Sequence, residues 1–242
     1  MKILIIKTSS LGDVVHALPV LEYLHRAFPA AELGWVVEEA FADLISGNPL
    51  VAHLHVVRTR AWRKKPFAAE TRREIPAVLH ELRDARYEVL LDLQGNLKSG
   101  LIGILSGVQR RVGFPRHLLQ EQLNRFCTTE TAVIDPSDDN AGLRCLGLAA
   151  HIAKLPYRDV EPVSDIAVSR ADEVSAENAL QGIKGVRVLF HCGTTWQTKY
   201  WTVDGWSKLG SRVCEVFPGS AILLTFGNET ERAMAEAIAA GI

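Results

Sequence analysis

Short apolar runs alternate along the chain with segments whose apolar residues recur every three or four positions. That alternation is the mark of buried strands followed by amphipathic helices. Met1-Lys2-Ile3-Leu4-Ile5-Ile6-Lys7 reads as a strand, Thr8 to Asp13 as a polar loop, and residues 14–28 as a helix. A turn at residues 29–31 leads to a second strand at 32–37, a short helix at 41–46 ended by Asn48-Pro49, and a third strand at 53–57. Residues 75–86 form a predicted helix with Pro76 tolerated in its first turn. A buried strand then runs from Tyr87 into a polar loop ending at Gly95, and Asn96 caps a helix over 97–105. Further strands are expected at 110–114 and 131–134 and a helix at 139–153. Strand and helix in strict alternation imply parallel pairing with right-handed crossovers.

Residues 155–162 carry two prolines and no apolar period, which reads as a linker between domains at 1–155 and 164–242. Beyond it the pattern restarts. A helix is expected at 170–181, a strand at 186–190, a polar loop at 191–201, a helix at 203–217, a strand at 221–226 and a helix at 229–240. Only two strands are legible there, and a two-stranded parallel sheet is not stable alone. The predicted fold is therefore α/β, two Rossmann-like domains of which the second is incomplete.

With 48% hydrophobic and 23% charged residues, the 242-residue chain has the composition of an ordinary soluble globular protein. The formal net charge of -1 gives no overall bias toward nucleic acid or membrane, so any electrostatic targeting must be local. One such cluster exists: Arg58, Arg60, Arg63, Lys64, Lys65, Arg72 and Arg73 stand against one acid, Glu70, with Trp62 and Phe67 interleaved. It is either a solvated surface or an anion site for phosphates and carboxylates of a substrate at a membrane, where each cation contributes about 1 kcal/mol. Nucleic acid fits poorly, since one basic stretch lacks the stacking platforms of nucleic-acid modules. Cys127, Cys145, Cys192 and Cys214 are too far apart for metal or redox spacing and read as free thiols of a reducing compartment. The first residues lack the pattern of a signal peptide, and no apolar stretch reaches about 18 residues. A cytoplasmic protein, or one peripheral on the cytosolic face of a membrane, is expected.

In an open α/β sheet, ligands bind beyond the carboxyl ends of the strands. Thr8 to Asp13, the Asp92, Gln94 and Lys98 segment, and Thr194 to Lys199 all fall at such ends. Small hydroxyl residues and a glycine ahead of a helix leave backbone N–H groups free for an anion. Capping and loop hydrogen bonding are the plainer alternative for each.

Several separated motifs then carry a family resemblance. Lys7-Thr8-Ser9-Ser10-Leu11-Gly12-Asp13-Val14-Val15-His16, the acidic pair after Trp35-Val36-Val37, Arg60-Ala61-Trp62-Arg63-Lys64, Asp92-Leu93-Gln94-Gly95-Asn96-Leu97-Lys98-Ser99 and the loop from Thr194-Thr195 to Lys199-Tyr200-Trp201 occur in order. Together they closely resemble the lipopolysaccharide heptosyltransferase I family of ADP-heptose:lipopolysaccharide heptosyltransferases, which have two Rossmann-like domains in the GT-B architecture.

The resemblance covers nearly the whole chain. It implies transfer of L-glycero-D-manno-heptose from ADP-heptose to a Kdo residue of Kdo-lipid A, with inversion at the anomeric carbon. Asp13 matches the catalytic base and is also placed to cap a helix. Lys199 matches the residue that meets the diphosphate, Thr194 and Thr195 the phosphate loop, and Glu229 the acid on the nucleoside. Arg60, Arg63 and Lys64 match the basic acceptor segment, with Ser10, Gly12, Gln94 and Lys98 assigned to the acceptor side. The implied partners are ADP-heptose, Kdo-lipid A and an anionic inner-membrane surface, with no nucleic acid, no metal and no other cofactor. The family's second domain continues with Asp-Thr-Gly-x-x-His, which follows none of the residues here, so a truncated donor domain is expected. The alternatives left open are a relative with a different acceptor and a non-catalytic acceptor-binding module.

Overall fold

The computed structural model describes residues 1–158, 165–194 and 197–242. The chain divides into two compact units, Met1–Ser169 and Arg170–Ile242.

The first unit begins with β1 (Lys2–Ile6), then α1 (Leu11–Ala17), α2 (Pro19–Ala27), β2 (Glu32–Glu38), a 3-10 turn (Glu39–Leu44) and β3 (Val51–Val57). It continues with α3 (Thr59–Lys64), α4 (Ala69–Asp84), β4 (Val89–Asp92), α5 (Leu97–Leu105) and β5 (Arg110–Gly113). Two 3-10 turns (Arg116–Leu118 and Gln122–Phe126), the two-residue β6 (Glu130–Thr131) and α6 (Ala141–Ala153) complete it. All five strand pairings are parallel, in the order β3-β2-β1-β4-β5-β6. This is the doubly wound order, whose switch point lies between β1 and β4.

Successive residues of β1 are apolar because both sheet faces are covered. Ile3, Ile5, Trp35, Val37 and Leu91 meet α1, α2 and α6 on one face. Leu4, Ile6, Val36 and Leu90 meet Trp62 of α3, Val78 and Leu82 of α4 and Ile102 of α5 on the other. Each buried Ile or Leu contributes on the order of 1.5–3 kcal/mol.

Several elements differ from expectation: the loop expected to reach Asp13 ends at Ser10, just before α1, and the strand expected at 131–134 is the two-residue β6. The helix expected at 14–28 is two helices, because Pro19 has no N–H to continue the ladder and Leu18 N–H instead closes on the Val15 carbonyl at 3.2 Å. The basic stretch, to which the sequence pattern assigns no element, is helical in α3 and the first turn of α4. Pro76 consequently lies inside α4, on its exposed side, where water can reach the carbonyl that loses its donor. The short helix expected at 41–46 is the 3-10 turn at Glu39–Leu44.

The second unit comprises α7 (Arg170–Ala179), β7 (Arg187–His191), a 3-10 turn (Gln197–Lys199), α8 (Val203–Val216), β8 (Ala221–Thr225) and α9 (Glu229–Ala240). β7 and β8 pair in parallel. Phe190, Cys192, Trp206, Leu224, Ala235 and Ile238 form its core. The linker expected at 155–162 falls partly on residues 159–164, outside the described ones. Among the described residues, no helix is long and apolar enough to cross a membrane.

Candidate active site

At the switch point the loops leaving β1 and β4 are bound to each other. Lys7 Nζ, on a buried side chain, donates to the Leu93 carbonyl at 2.9 Å. Gln94 Oε1 accepts the Thr8 N–H at 3.0 Å and the Ser9 N–H at 3.1 Å. On the other side Trp35 Nε1 donates to the Lys7 carbonyl at 3.1 Å and the Glu38 N–H to the Thr8 carbonyl at 3.1 Å. The segment from Lys7 to Ser9 is thus held on both flanks, and the chain reaches the surface at Ser10.

Ser10 precedes α1, and Asp13 is the third residue of that helix. Both the backbone N–H and the hydroxyl of Ser10 donate to Asp13 Oδ2, at 3.0 and 2.7 Å. Partial burial pushes the Asp13 carboxyl up, but the Ser10 bonds, with Lys7 and His16 nearby, outweigh it and hold the group below its ordinary range. Asp13 is therefore an ionised, half-buried carboxylate of fixed orientation. Gly12 beside it is exposed, and a Cβ there would meet nothing within 4 Å.

The residues expected from the β4 loop divide by role. Asp92 does not face a cleft: it is buried, and accepts the Gln94 and Gly95 N–H groups at 3.0 Å each, Ser99 Oγ at 2.9 Å and Asn124 Nδ2 at 2.7 Å. Burial pushes its carboxyl up against those four bonds. Gly95, at φ +70°, makes the turn. Gln94 is buried, its side chain spent on the Thr8–Ser9 backbone and, through Nε2, on Gln120 at 3.3 Å. Lys98 lies 3.7 Å from Glu38 Oε2.

Glu38 ends β2, and its buried carboxylate also accepts Thr59 Oγ1 at 2.8 Å and the Arg60 N–H at 3.0 Å. It thereby joins the start of α3 to Lys98 of α5. Arg60, Arg63 and Lys64 are exposed on α3, with no ion-pair partner among the described residues. Arg58 differs, being paired with Glu39 at 3.0 Å and Glu74 at 2.9 Å, and Trp62 donates to Glu74 at 2.7 Å. The basic cluster is thus part scaffold and part free charge. A pocket of about 330 Å³ lies against it, lined by Trp62, Lys64, Lys65 and Thr71.

In the second unit Thr194 is half-buried and Lys199 is exposed at the end of its 3-10 turn. Thr195 lies outside the described residues. Glu229 opens α9 fully in solvent, 4.0 Å from Arg232. Glu231, which sequence reasoning missed, accepts the Gly227 N–H at 2.7 Å, and its carboxylate stands within 2.6 Å of where a Cβ on Gly193 would be. Glu38 was visible in the sequence only as one of an acidic pair. An acid at the carboxyl end of a buried strand, next to a basic segment, was its available signal. Among the described residues no group of three or more His, Cys, Asp or Glu is arranged to hold a metal ion.

The sequence profile of glycosyltransferase family 9 (heptosyltransferase) matches residues 75–242, more than half of the chain. The chain belongs to this family. Lipopolysaccharide heptosyltransferase 1 of Pseudomonas aeruginosa is 34% identical over 243 residues, which cover 100% of this chain and 65% of that protein. The protein of the same name from Escherichia coli K12 is 40% identical over 102 residues, 42% of this chain and 32% of its own length. The chain therefore spans less than two thirds of these relatives.

Among solved structures, E. coli heptosyltransferase WaaC with ADP-2-deoxy-2-fluoro heptose superposes with a TM-score of 0.82 at 28% identity, covering 99% of this chain and 73% of that one. E. coli ADP-heptose lps heptosyltransferase II shares the fold, with a TM-score of 0.75 at 20% identity over 100% of this chain and 69% of that one.

Proposed function

We propose that this family 9 chain transfers L-glycero-D-manno-heptose from ADP-heptose to a Kdo residue of Kdo-lipid A, with inversion at the anomeric carbon. The observation that carries the reading is the Asp13 carboxylate, kept ionised and oriented by Ser10 next to exposed Gly12. An inverting transfer needs one carboxylate to accept the proton of the attacking hydroxyl as the new C–O bond forms and the bond to the diphosphate breaks. ADP leaves with the electron pair of that bond. The likeness to lipopolysaccharide heptosyltransferase 1 of two bacteria supports the same chemistry, and the likeness to WaaC with ADP-2-deoxy-2-fluoro heptose supports an ADP-heptose donor.

The remaining residues take roles their chemistry suits. Lys199 offsets the charge gathering on the diphosphate without a metal, Thr194 and Thr195 bind its phosphates, and Glu229 contacts the nucleoside. Arg60, Arg63 and Lys64, exposed and unpaired among the described residues, meet the phosphates and carboxylates of the acceptor. Ser10, Gln94 and Lys98 act by holding the loops that face it. The acceptor reading implies work at the cytosolic face of an anionic membrane.

The test is Asp13→Asn, with ADP release measured from ADP-heptose in the presence of Kdo-lipid A. Turnover should fall by about 10²–10⁴-fold while the unfolding temperature is kept. Near-normal turnover in the variant would remove the base assignment. Acceptor binding without any turnover in the unaltered chain would favour the binding-module alternative.

A further inference from the structure

The segment between β7 and α8 carries the residues assigned above to the diphosphate, and its two described ends are held in different ways. The end leaving β7 is held by polar contacts. His191 Nδ1 lies 2.9 Å from Thr225 Oγ1 of β8, and Gly193 is buried against the Glu231 carboxylate of α9. The end entering α8 is held by rings. Trp201 stands 5.3 Å from Trp206 of α8, centroid to centroid, with the ring planes at 67°. Trp206 in turn stands 5.0 Å from buried Phe190 of β7, with the planes at 45°. Both separations lie in the range where aromatic pairs attract beyond the area they bury. Phe190 precedes the segment and Trp201 follows it, so Trp206 joins its two ends.

The seat of Trp201 depends on the missing side chain at Gly205. Gly205 is the third residue of α8, and its N–H donates to the capping Thr202 Oγ1 at 3.0 Å. A Cβ there would stand 2.6 Å from Cε2 and 2.8 Å from Cζ2 of the Trp201 indole. Glycine is a poor residue inside a helix, and here it makes room for a ring. Trp201 is two residues beyond Lys199, which ends the 3-10 turn Gln197–Lys199. Lys199 is exposed, and among the described residues its ammonium has no ion-pair or hydrogen-bond partner. A point charge on a flexible four-carbon stem takes its position from the backbone beneath it. That backbone is tied down at Trp201.

We propose that Trp201 is a positioning residue for the donor: seated between Gly205 and Trp206, it fixes the backbone that carries Lys199 and so sets the affinity for a nucleoside diphosphate. The inference rests on the diphosphate role of Lys199 proposed above and adds to it the residue through which that lysine is aimed. A role in packing alone fits less well, because Trp201 is 49% exposed and adds little to a core that Phe190 and Trp206 already close. If it acts through Lys199, its contribution must vanish when Lys199 is gone.

Calorimetric titration of the full chain with ADP tests it. Trp201→Ala should weaken ADP binding by about 2–10-fold, the worth of one aromatic pair, and Trp201→Phe should restore most of the loss. Gly205→Ala should weaken binding to a similar extent, because it unseats the indole without removing it, and it serves in place of Trp201→Ala if that variant does not fold. Lys199→Ala should weaken binding by about 10–100-fold, and adding Trp201→Ala to it should weaken binding no further. Phe217→Ala, equally exposed at the other end of α8, should change nothing. The proposal is overturned by undiminished binding in Trp201→Ala, by a Trp201→Phe variant as weak as Trp201→Ala, or by additive losses in the double variant, and each of these leaves the diphosphate role of Lys199 standing. Lys199→Ala without effect, or an unaltered chain that does not bind ADP, would remove that role and this inference with it.

Discussion

Ser10 donates both its backbone N–H, at 3.0 Å, and its hydroxyl, at 2.7 Å, to the same oxygen of Asp13. The arrangement is one half of a capping box, in which the third residue of a helix reaches back to the residue before it. It serves the helix and the proposed chemistry together, because a base must be ionised and aimed before the acceptor arrives. Hydrogen bonds to the charged form lower a carboxyl pKa, so deleting the hydroxyl must raise it. Ser10→Ala is therefore expected to move the acidic limb of the kcat/KM profile to higher pH. At the plateau the loss should stay within about tenfold, the worth of one hydrogen bond. An acidic limb that does not move would mean that Asp13 is not the titrating base.

Gln94 is buried, and its Oε1 receives two backbone N–H groups of the first loop, from Thr8 and Ser9. Gln94→Ala would leave the buried Thr8 donor without its partner, at a cost of about 1–3 kcal/mol. For a domain of this size that corresponds to a fall in unfolding temperature of about 2–4 °C per kcal/mol. Scanning calorimetry should show that shift together with a drop in turnover, because the same bonds position the segment leading to Asp13. An unchanged transition would remove Gln94 from the scaffold of the site and return it to a direct contact.

The parts of this arrangement that could be read in the sequence are the local ones. The Ser10-x-x-Asp13 spacing, the cap at Asn96 and the apolar run of β1 depend on neighbours within a few residues. The parallel pairing followed from the alternation of strand and helix, whereas the order β3-β2-β1-β4-β5-β6 is seen only in the fold. What escaped is tertiary. α3 is six residues long, too short to form on propensity, and stands because Arg58 and Trp62 both reach Glu74 of α4. Asp92 sat at a strand end like any ligand-facing acid, and only the fold shows its four donors closing on it from inside. Glu38 escaped for the same reason, its partners arriving from two other elements.

Glu38 yields the next prediction. Its carboxylate fixes the Thr59 hydroxyl and Arg60 N–H at the start of α3 and attracts Lys98 of α5. Glu38→Gln keeps the size of the side chain but removes the charge that holds Lys98. The acceptor KM should rise by about tenfold, the scale of a charge-assisted bond, with the donor KM unmoved. Equal effects on both constants would mark a general loss of folding, and no effect on either would leave Glu38 a buried acid without a part in acceptor binding.

Away from the site, the fold contains a titrating pair whose effect has a definite sign. His55 is buried on β3, with its Nε2 2.7 Å from the Tyr87 hydroxyl, Glu81 3.8 Å from its Nδ1 and the His53 ring 6.4 Å away. Burial pushes the His55 pKa down, Glu81 opposes it, His53 adds to it, and the net direction is below the ordinary value. The unfolded chain then binds a proton on His55 at a pH where the folded chain does not. By linkage, its contribution to stability is intact above the unfolded pKa of about 6.5 and is lost as pH falls from there toward the lower folded value. Urea unfolding followed between neutral and mildly acidic pH should show stability declining over that window, with a flatter decline in His55→Gln, whose amide does not titrate. Parallel declines in the two proteins would show that His55 is protonated as readily folded as unfolded, and that the buried contact with Tyr87 does not discriminate between its charge states.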